Sequence, residues 1–215
     1  MSRPLEVVSV VDAVANDLRD RILSGELVAG TPLGEAKVSA AYDVSRPTAR
    51  SAIDALVAAR LLVRGAHKTA RVTSLTASDV DDIYGARAAV ESEVVRRLAA
   101  GHARPQRADA ANARIRELES AEPLAVVGPD MEFHRALVDA AGSERLSSIY
   151  ALLADEVRLC MTQVQSAALL STTDIAAQHA RILDEIAAGD AASAAASLQQ
   201  HLDAARSRLR DSLES

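Results

Sequence analysis

The chain of 215 residues carries 24 Lys and Arg against 30 Asp and Glu, for a net charge of −6, with 49% apolar but only 2% aromatic residues. Its length suits one large domain or two small ones, and its abundant Ala, Leu, Arg and Glu favour helix over a β-sandwich or barrel. No run reaches the roughly 20 apolar residues of a membrane span, the N-terminus carries no signal-peptide core, and the single cysteine, Cys160, excludes an internal disulfide framework, so a mainly α cytoplasmic protein with no membrane contact is expected.

The charge divides unevenly along the chain. Residues 1–75 hold ten Lys/Arg and eight Asp/Glu, whereas residues 76–215 hold fourteen and twenty-two. A slightly basic first third is a weak electrostatic footprint, so any nucleic-acid reading has to come from where the cations stand.

Val7 to Leu23 is predicted as a first helix, because Val7, Val11, Val14, Leu18 and Ile22 recur three or four apart; Gly25 ends it. Residues 26–34 are too rich in Gly and Pro for helix. Glu35 to Tyr42 forms a short second helix, Asp43-Val44 a turn, and Ser45 an N-cap for a third helix reaching about Ala59. The inward stripe of that helix is Ala49, Ile53, Leu56 and Val57, with Arg46 and Arg50 one turn apart near its start. Leu61 to Val63 and Ala70 to Val72 then read as strands, joined by a tip that carries Lys68. Three short helices followed by a basic hairpin make a winged helix-turn-helix. The third helix can enter a major groove while the hairpin reaches flanking phosphates.

A linker at 75–78 separates this first domain, 1–74, from a second, 79–215. Six helices are expected in the second, at 79–101, 105–121, 128–141, 143–167, 173–188 and 190–213, with Gly, Pro and Ser breakers between them. Six helices with short connections make an antiparallel bundle large enough to enclose a small cavity.

The histidines of the bundle stand out. Asp130 and His134 are four apart on one helix face, His179 lies in the stripe Ile175, Ile182, Ile186, and His201 in the stripe Leu198, Leu202, Leu209. One carboxylate and three imidazoles facing one interior suit a divalent first-row ion, with zinc, nickel and manganese as candidates and positions left for water or a ligand. The alternative is three separate core histidines bonded to their neighbours. A metal-dependent hydrolase or lyase would further need a general base at the open position, and Glu132 points to another face.

Residues 7–74 resemble the DNA-binding domain of the GntR family of bacterial transcription regulators. The matching stretches are Leu18 to Leu27, Gly30-Thr31-Pro32-Leu33-Gly34-Glu35, and Val44-Ser45-Arg46-Pro47-Thr48-Ala49-Arg50. Residues 79–213 resemble the FCD effector domain of the FadR subfamily, through Asp82 to Glu91, Asp130 to Leu137, Gln178 to Leu183 and Gln200-His201-Leu202; six helices match its VanR-like branch. The resemblance implies operator contacts by Arg19, Arg46 and Arg50, helped by Ser45, Thr48 and Lys68. It also implies metal ligation by Asp130, His134, His179 and His201.

Arg87, and more weakly Arg158, would line the pocket for a small organic acid; the alternative for Arg87 is a salt bridge to Glu91 or Glu156. A homodimer on a palindromic double-stranded operator, acting as a repressor, is the implied function. Ser51, Ile53 and Arg60-Leu61 depart from the family pattern, and Gln178 stands where Glu is more usual.

Overall fold

The computed structural model describes residues 9–65, 69–118, 123–163 and 171–214. The chain separates into two compact units, Met1–Ser74 and Leu75–Ser215. It is mainly α: helices and a small sheet in the first unit, and a six-helix bundle in the second.

In the first unit, α1 (Val10–Leu23), α2 (Glu35–Tyr42) and α3 (Arg46–Ala58) surround a core of Leu18, Ile22, Val38, Ile53 and Leu56. Ser9 caps α1 by accepting from the Asp12 N–H at 3.1 Å, so the helix starts at Val10; Val7, expected to open it, lies outside the described residues. Asp43 closes α2 in the left-handed region at φ 50°, and the Ser45 hydroxyl accepts from the Thr48 N–H at 3.2 Å to open α3. Ala49, Ile53 and Leu56 are buried as expected, joined by Ala52, while Val57 is half-buried.

The sheet has a third strand that the sequence does not announce. β1 (Pro32–Leu33) pairs antiparallel with β3 (Ala70–Val72), which also pairs antiparallel with β2 (Leu62–Arg64), in the order β1-β3-β2. Two residues, one of them proline, are too few to show an alternating pattern. β2 also sits one residue later than expected, because Arg60 takes φ 58° and Leu61 turns its N–H back to the Leu56 carbonyl at 3.0 Å.

The second unit contains α4 (Ala77–Ala100), α5 (Gln106–Glu117), a 3-10 turn (Pro123–Val126), α6 (Val127–Ala140), α7 (Glu144–Gln163), α8 (Thr172–Ala188) and α9 (Ala191–Glu214). α4 starts two residues earlier than expected and takes up half of the anticipated linker. The reason is a capping box: the Thr76 hydroxyl accepts from the Asp79 N–H, and the Asp79 carboxylate accepts from the Thr76 N–H. α6 likewise begins ahead of Gly128-Pro129, because proline is tolerated in a first turn.

α4 is the centre of the bundle, packed against α6, α7, α8 and α9. Its inward stripe runs Val80, Ile83, Tyr84, Arg87, Ala88, Glu91, Val94, Val95 and Leu98. Two opposite charges therefore lie inside an otherwise apolar seam. Cys160 is buried there as a small hydrophobe, and burial pushes its thiol up to about 12. Among the described residues no helix is long and apolar enough to cross a membrane.

Candidate functional site

The four residues expected to hold a metal come together. Asp130 and His134 project from α6, His179 from α8 and His201 from α9, all buried, with one ligand atom of each within 4.8 Å of every other. His134 Nε2 stands 3.2 Å from His201 Nε2, which stands 3.4 Å from His179 Nε2; Asp130 Oδ1 lies 3.4 Å from His179 Nε2 and 3.9 Å from His134 Nε2.

Their outer partners fix how these rings carry their protons. His134 Nδ1 lies 2.6 Å from Glu91 Oε2, and His201 Nδ1 lies 2.8 Å from Gln178 Oε1. A carboxylate and an amide oxygen only accept, so both rings donate from Nδ1 and turn Nε2 inward. Burial, then the neighbouring rings and Arg87, push His179 and His201 well below the ordinary histidine value, so both rings are neutral. Phe133 stacks on His179 with ring centres 3.6 Å apart and fixes its plane.

His201, neutral and with its proton on Nδ1, turns a bare Nε2 lone pair toward His134 Nε2 and His179 Nε2, an arrangement that a positive charge among these atoms stabilises. Four ligand atoms at about 2.0–2.1 Å from one zinc-like ion stand roughly 3.3 Å apart at the corners of a tetrahedron. Three of the observed spacings, 3.2–3.4 Å, match that value, the Asp130–His134 spacing of 3.9 Å is wider, and the donor set is one that divalent first-row ions accept. The residues therefore fit a divalent metal ion.

Glu91 and Arg87 complete the cluster. Arg87 Nε donates to Glu91 Oε1 at 2.6 Å, while the second oxygen of the same carboxylate takes the His134 N–H. Burial would raise the Glu91 pKa, but Arg87 and His134 overcome it and hold the carboxyl at about 2. Arg87, 1% exposed, keeps Nη2 buried without a well-formed hydrogen bond among the described residues, as do Tyr84 Oη and Tyr150 Oη.

A cavity opens beside the cluster, lined by Arg87, Asp130, His201 and Arg208 among apolar side chains. Space for the centre of a water-sized molecule amounts to about 30 Å³, room for a few waters or one end of a small ligand. Arg158 is not part of it. The inward face of α7 is formed by Tyr150, Val157, Cys160 and Met161, which leaves Arg158 exposed; Arg208 of α9 lines the cavity instead. Glu132 is drawn away to Arg114 at 2.6 Å, and Glu91 is held between Arg87 and His134, so neither is placed as a general base.

In the first unit, Arg46 occupies the first turn of α3, exposed and without an ion pair among the described residues. Arg50 is also exposed, with Glu35 at 3.9 Å and Asp54 at 3.8 Å, too far for tight pairing. The Ser45 and Thr48 hydroxyls lie 2.8 Å apart and serve the α3 cap. Arg19 is half-buried on α1 and donates to Asn16 at 2.6 Å. Lys68 lies outside the described residues.

Comparison with known proteins agrees with both halves of this geometry. Residues 10–72 match the gntR family of bacterial regulatory proteins, and residues 82–204 match the FCD domain. The chain belongs to the GntR family of regulators that carry an FCD domain. It is 29% identical, over 89% of its own length and 86% of the relative's, to a Paenarthrobacter nicotinovorans protein named as a probable D-xylose utilization operon transcriptional repressor. It is 27% identical to the HTH-type transcriptional regulator YdhC of Bacillus subtilis, over 80% of this chain and 78% of that one. Among solved structures, a GntR transcriptional regulator from Rhodococcus sp. RHA1 superposes with a TM-score of 0.77 at 26% identity, covering 94% of this chain and 98% of that one.

Three features of this FCD domain escape sequence reasoning. Glu91 is foreseeable as an Arg87 partner at i,i+4, but its bond to His134 joins α4 to α6 and leaves no local trace. The Phe133 stack joins α6 to α8 in the same way. Arg208 carried a usable signal: it lies seven residues after His201, two turns along one helix face.

Proposed function

We propose that this GntR-family protein is a homodimeric repressor of the FadR subfamily, with a VanR-like FCD domain, whose operator affinity falls when a small organic acid binds beside a divalent metal ion. Residues 1–74 are the DNA-binding part, and the bundle from residue 79 is the sensor. Asp130, His134, His179 and His201 are the ligands in this reading, and zinc is the first candidate ion, ahead of nickel and manganese.

The observation that carries the reading is the charge balance inside the bundle. One guanidinium and two carboxylates, beside the neutral rings of His179 and His201, sum to one negative charge in a site nearly sealed from water. A divalent ion turns that into one positive charge, and a carboxylate ligand closes the balance, since buried charges persist only when paired. When bound, the ion supplies a Lewis-acidic centre for a carboxylate oxygen. Arg87 then offers its unpaired Nη2 to the same anion while Nε stays on Glu91.

Arg46 and Arg50 supply the other half, since exposed guanidinium forks at the start of α3 suit guanine edges and phosphates. A two-fold axis would double one weakly charged unit into a palindrome reader. The ligand lowers operator affinity only by as much as it prefers the form that binds DNA poorly. The name of the Paenarthrobacter nicotinovorans relative supports repression.

The test is footprinting on the DNA upstream of the protein's own gene, at roughly 150 mM salt, where non-specific contacts are weakened. A dimer-sized protected palindrome, lost in Arg46→Ala and Arg50→Ala, is expected. Protection no better than on a scrambled duplex, there and across genomic fragments, would overturn the reading.

A further inference from the structure

We propose that the cavity beside the histidine cluster selects a short aliphatic dicarboxylate, with Arg87 holding the inner carboxylate and Arg208 the outer one. The inference rests on the reading of that cavity as the effector site and adds what the effector must be.

The walls exclude a polyhydroxylated ligand. Val126, Val127, Met161, Ile175 and Ala205 form most of the lining and offer no side-chain hydrogen-bonding group. A sugar acid placed there would bury several hydroxyls without partners, at about 1–3 kcal/mol each. Methylene groups gain from the same walls, about 0.8 kcal/mol for each one fully buried. The body of the ligand is therefore aliphatic.

Its two ends are set by two cations at different depths. Arg87 is fully buried, with one guanidinium nitrogen left over. Arg208 is half-exposed at the rim and forms no ion pair or hydrogen bond among the described residues. Its neighbours on α9 differ: Arg206 pairs with Asp203 at 3.1 Å, and Arg210 with Asp81 at 3.1 Å. His201, Ala205 and Arg208 line one face of α9, a ladder from the cluster to the rim. The rise over those two turns is about 10 Å, and the inward reach of the side chains leaves space for a chain of roughly four to six carbons. The inner carboxylate neutralises the metal-loaded cluster, and the outer one meets Arg208.

The experiment uses the metal-loaded full-length protein and isothermal titration with succinate, glutarate, adipate, butyrate and gluconate, with melting shifts as a second readout. The best diacid is expected to bind at least about tenfold tighter than butyrate, with gluconate weakest. Arg208→Gln should bring the diacid down to the level of the monoacid, and Arg208→Lys should restore part of the difference. An unchanged melting temperature of unliganded Arg208→Gln would show that the fold is retained. Equal binding of butyrate and the diacids, an intact preference in Arg208→Gln, or gluconate as the tightest ligand would each overturn the proposal while leaving the effector cavity standing. No binding of any of the five would overturn the effector reading and the proposal with it.

Discussion

Glu91→Gln isolates the electrostatic link between the guanidinium of Arg87 and the ring of His134. The wild-type carboxylate accepts two charge-assisted or strongly polarised bonds of 2.6 Å, one on each oxygen. An amide has a single acceptor oxygen, so one of its two neighbours must face an NH2 group, donor against donor. If Arg87 is abandoned, a buried guanidinium is left unpaired, a defect of about 3–5 kcal/mol. If His134 is abandoned, the ring loses the acceptor that fixes its Nε2 inward. Loss of such an outer partner weakens metal binding about 10–100-fold, or roughly 1.4–2.7 kcal/mol.

The assay is competition with a fluorescent zinc chelator, alongside urea unfolding of metal-free protein. The single variant should lose both stability and metal affinity. The double variant Arg87→Met/Glu91→Gln should recover most of the stability, because no further charge is left unpaired, yet keep the weakened metal site. Unchanged metal affinity in Glu91→Gln, within about twofold, would refute the claim that this carboxylate orients the ligand ring.

The remaining predictions concern protonation, capping and backbone. Burial holds the folded-state pKa of His179 and His201 below the unfolded value of 6.5, so the unfolded chain takes up protons first and stability is lost as pH falls below about 6.5. With two such groups the slope approaches about 2.7 kcal/mol per pH unit, and urea unfolding of metal-free protein at pH 7.5 and 5.5 should show it; equal stability at both would contradict neutral burial. Ser45→Ala removes the α3 cap and should destabilise the first unit by about 1 kcal/mol, read as a lower melting temperature that Ser45→Asp restores. Gly189→Ala forces alanine into φ 80° and drives a Cβ into the His102 ring. The left-handed backbone should cost about 1–2 kcal/mol, and His102→Ala should relieve only the collision; an unchanged melting temperature in Gly189→Ala would contradict the strain.

The fold was legible where a physical signal is local. Periodic apolar residues marked α1 and α3, Gly, Pro and Ser breakers set off the bundle helices, and Ser45 announced its own helix as a cap with an acceptor in the right place. β1 was not legible, because its two residues exist as a strand only through the pairing that Arg71 and Ala70 provide from the far end of the unit. The Asp/His cluster was unusually readable. Its four side chains lie on the buried faces of three helices, so the same periodicity that predicts the core also predicts that they converge.

What surrounds the ligands was not. Glu91, Phe133 and Gln178 matter through contacts between helices, and no spacing within one helix encodes which neighbour a side chain will meet. The exchange of Arg158 for Arg208 has the same origin. Both are arginines on long helices, and only the rotation of each helix in the bundle decides which one faces the cavity.

Metal ligation by Asp130, His134, His179 and His201 is tested most directly by titration of zinc, then nickel and manganese, into chelator-stripped protein at pH 7.5, followed by calorimetry and melting temperature. One site per chain is expected, with little proton release from His179 and His201, which are already neutral, and stabilisation of about 2.7 kcal/mol at a hundredfold excess over the dissociation constant. His201→Ala should lose most of that binding. Absence of binding by all three ions, or binding of equal strength in His201→Ala, would contradict that ligation.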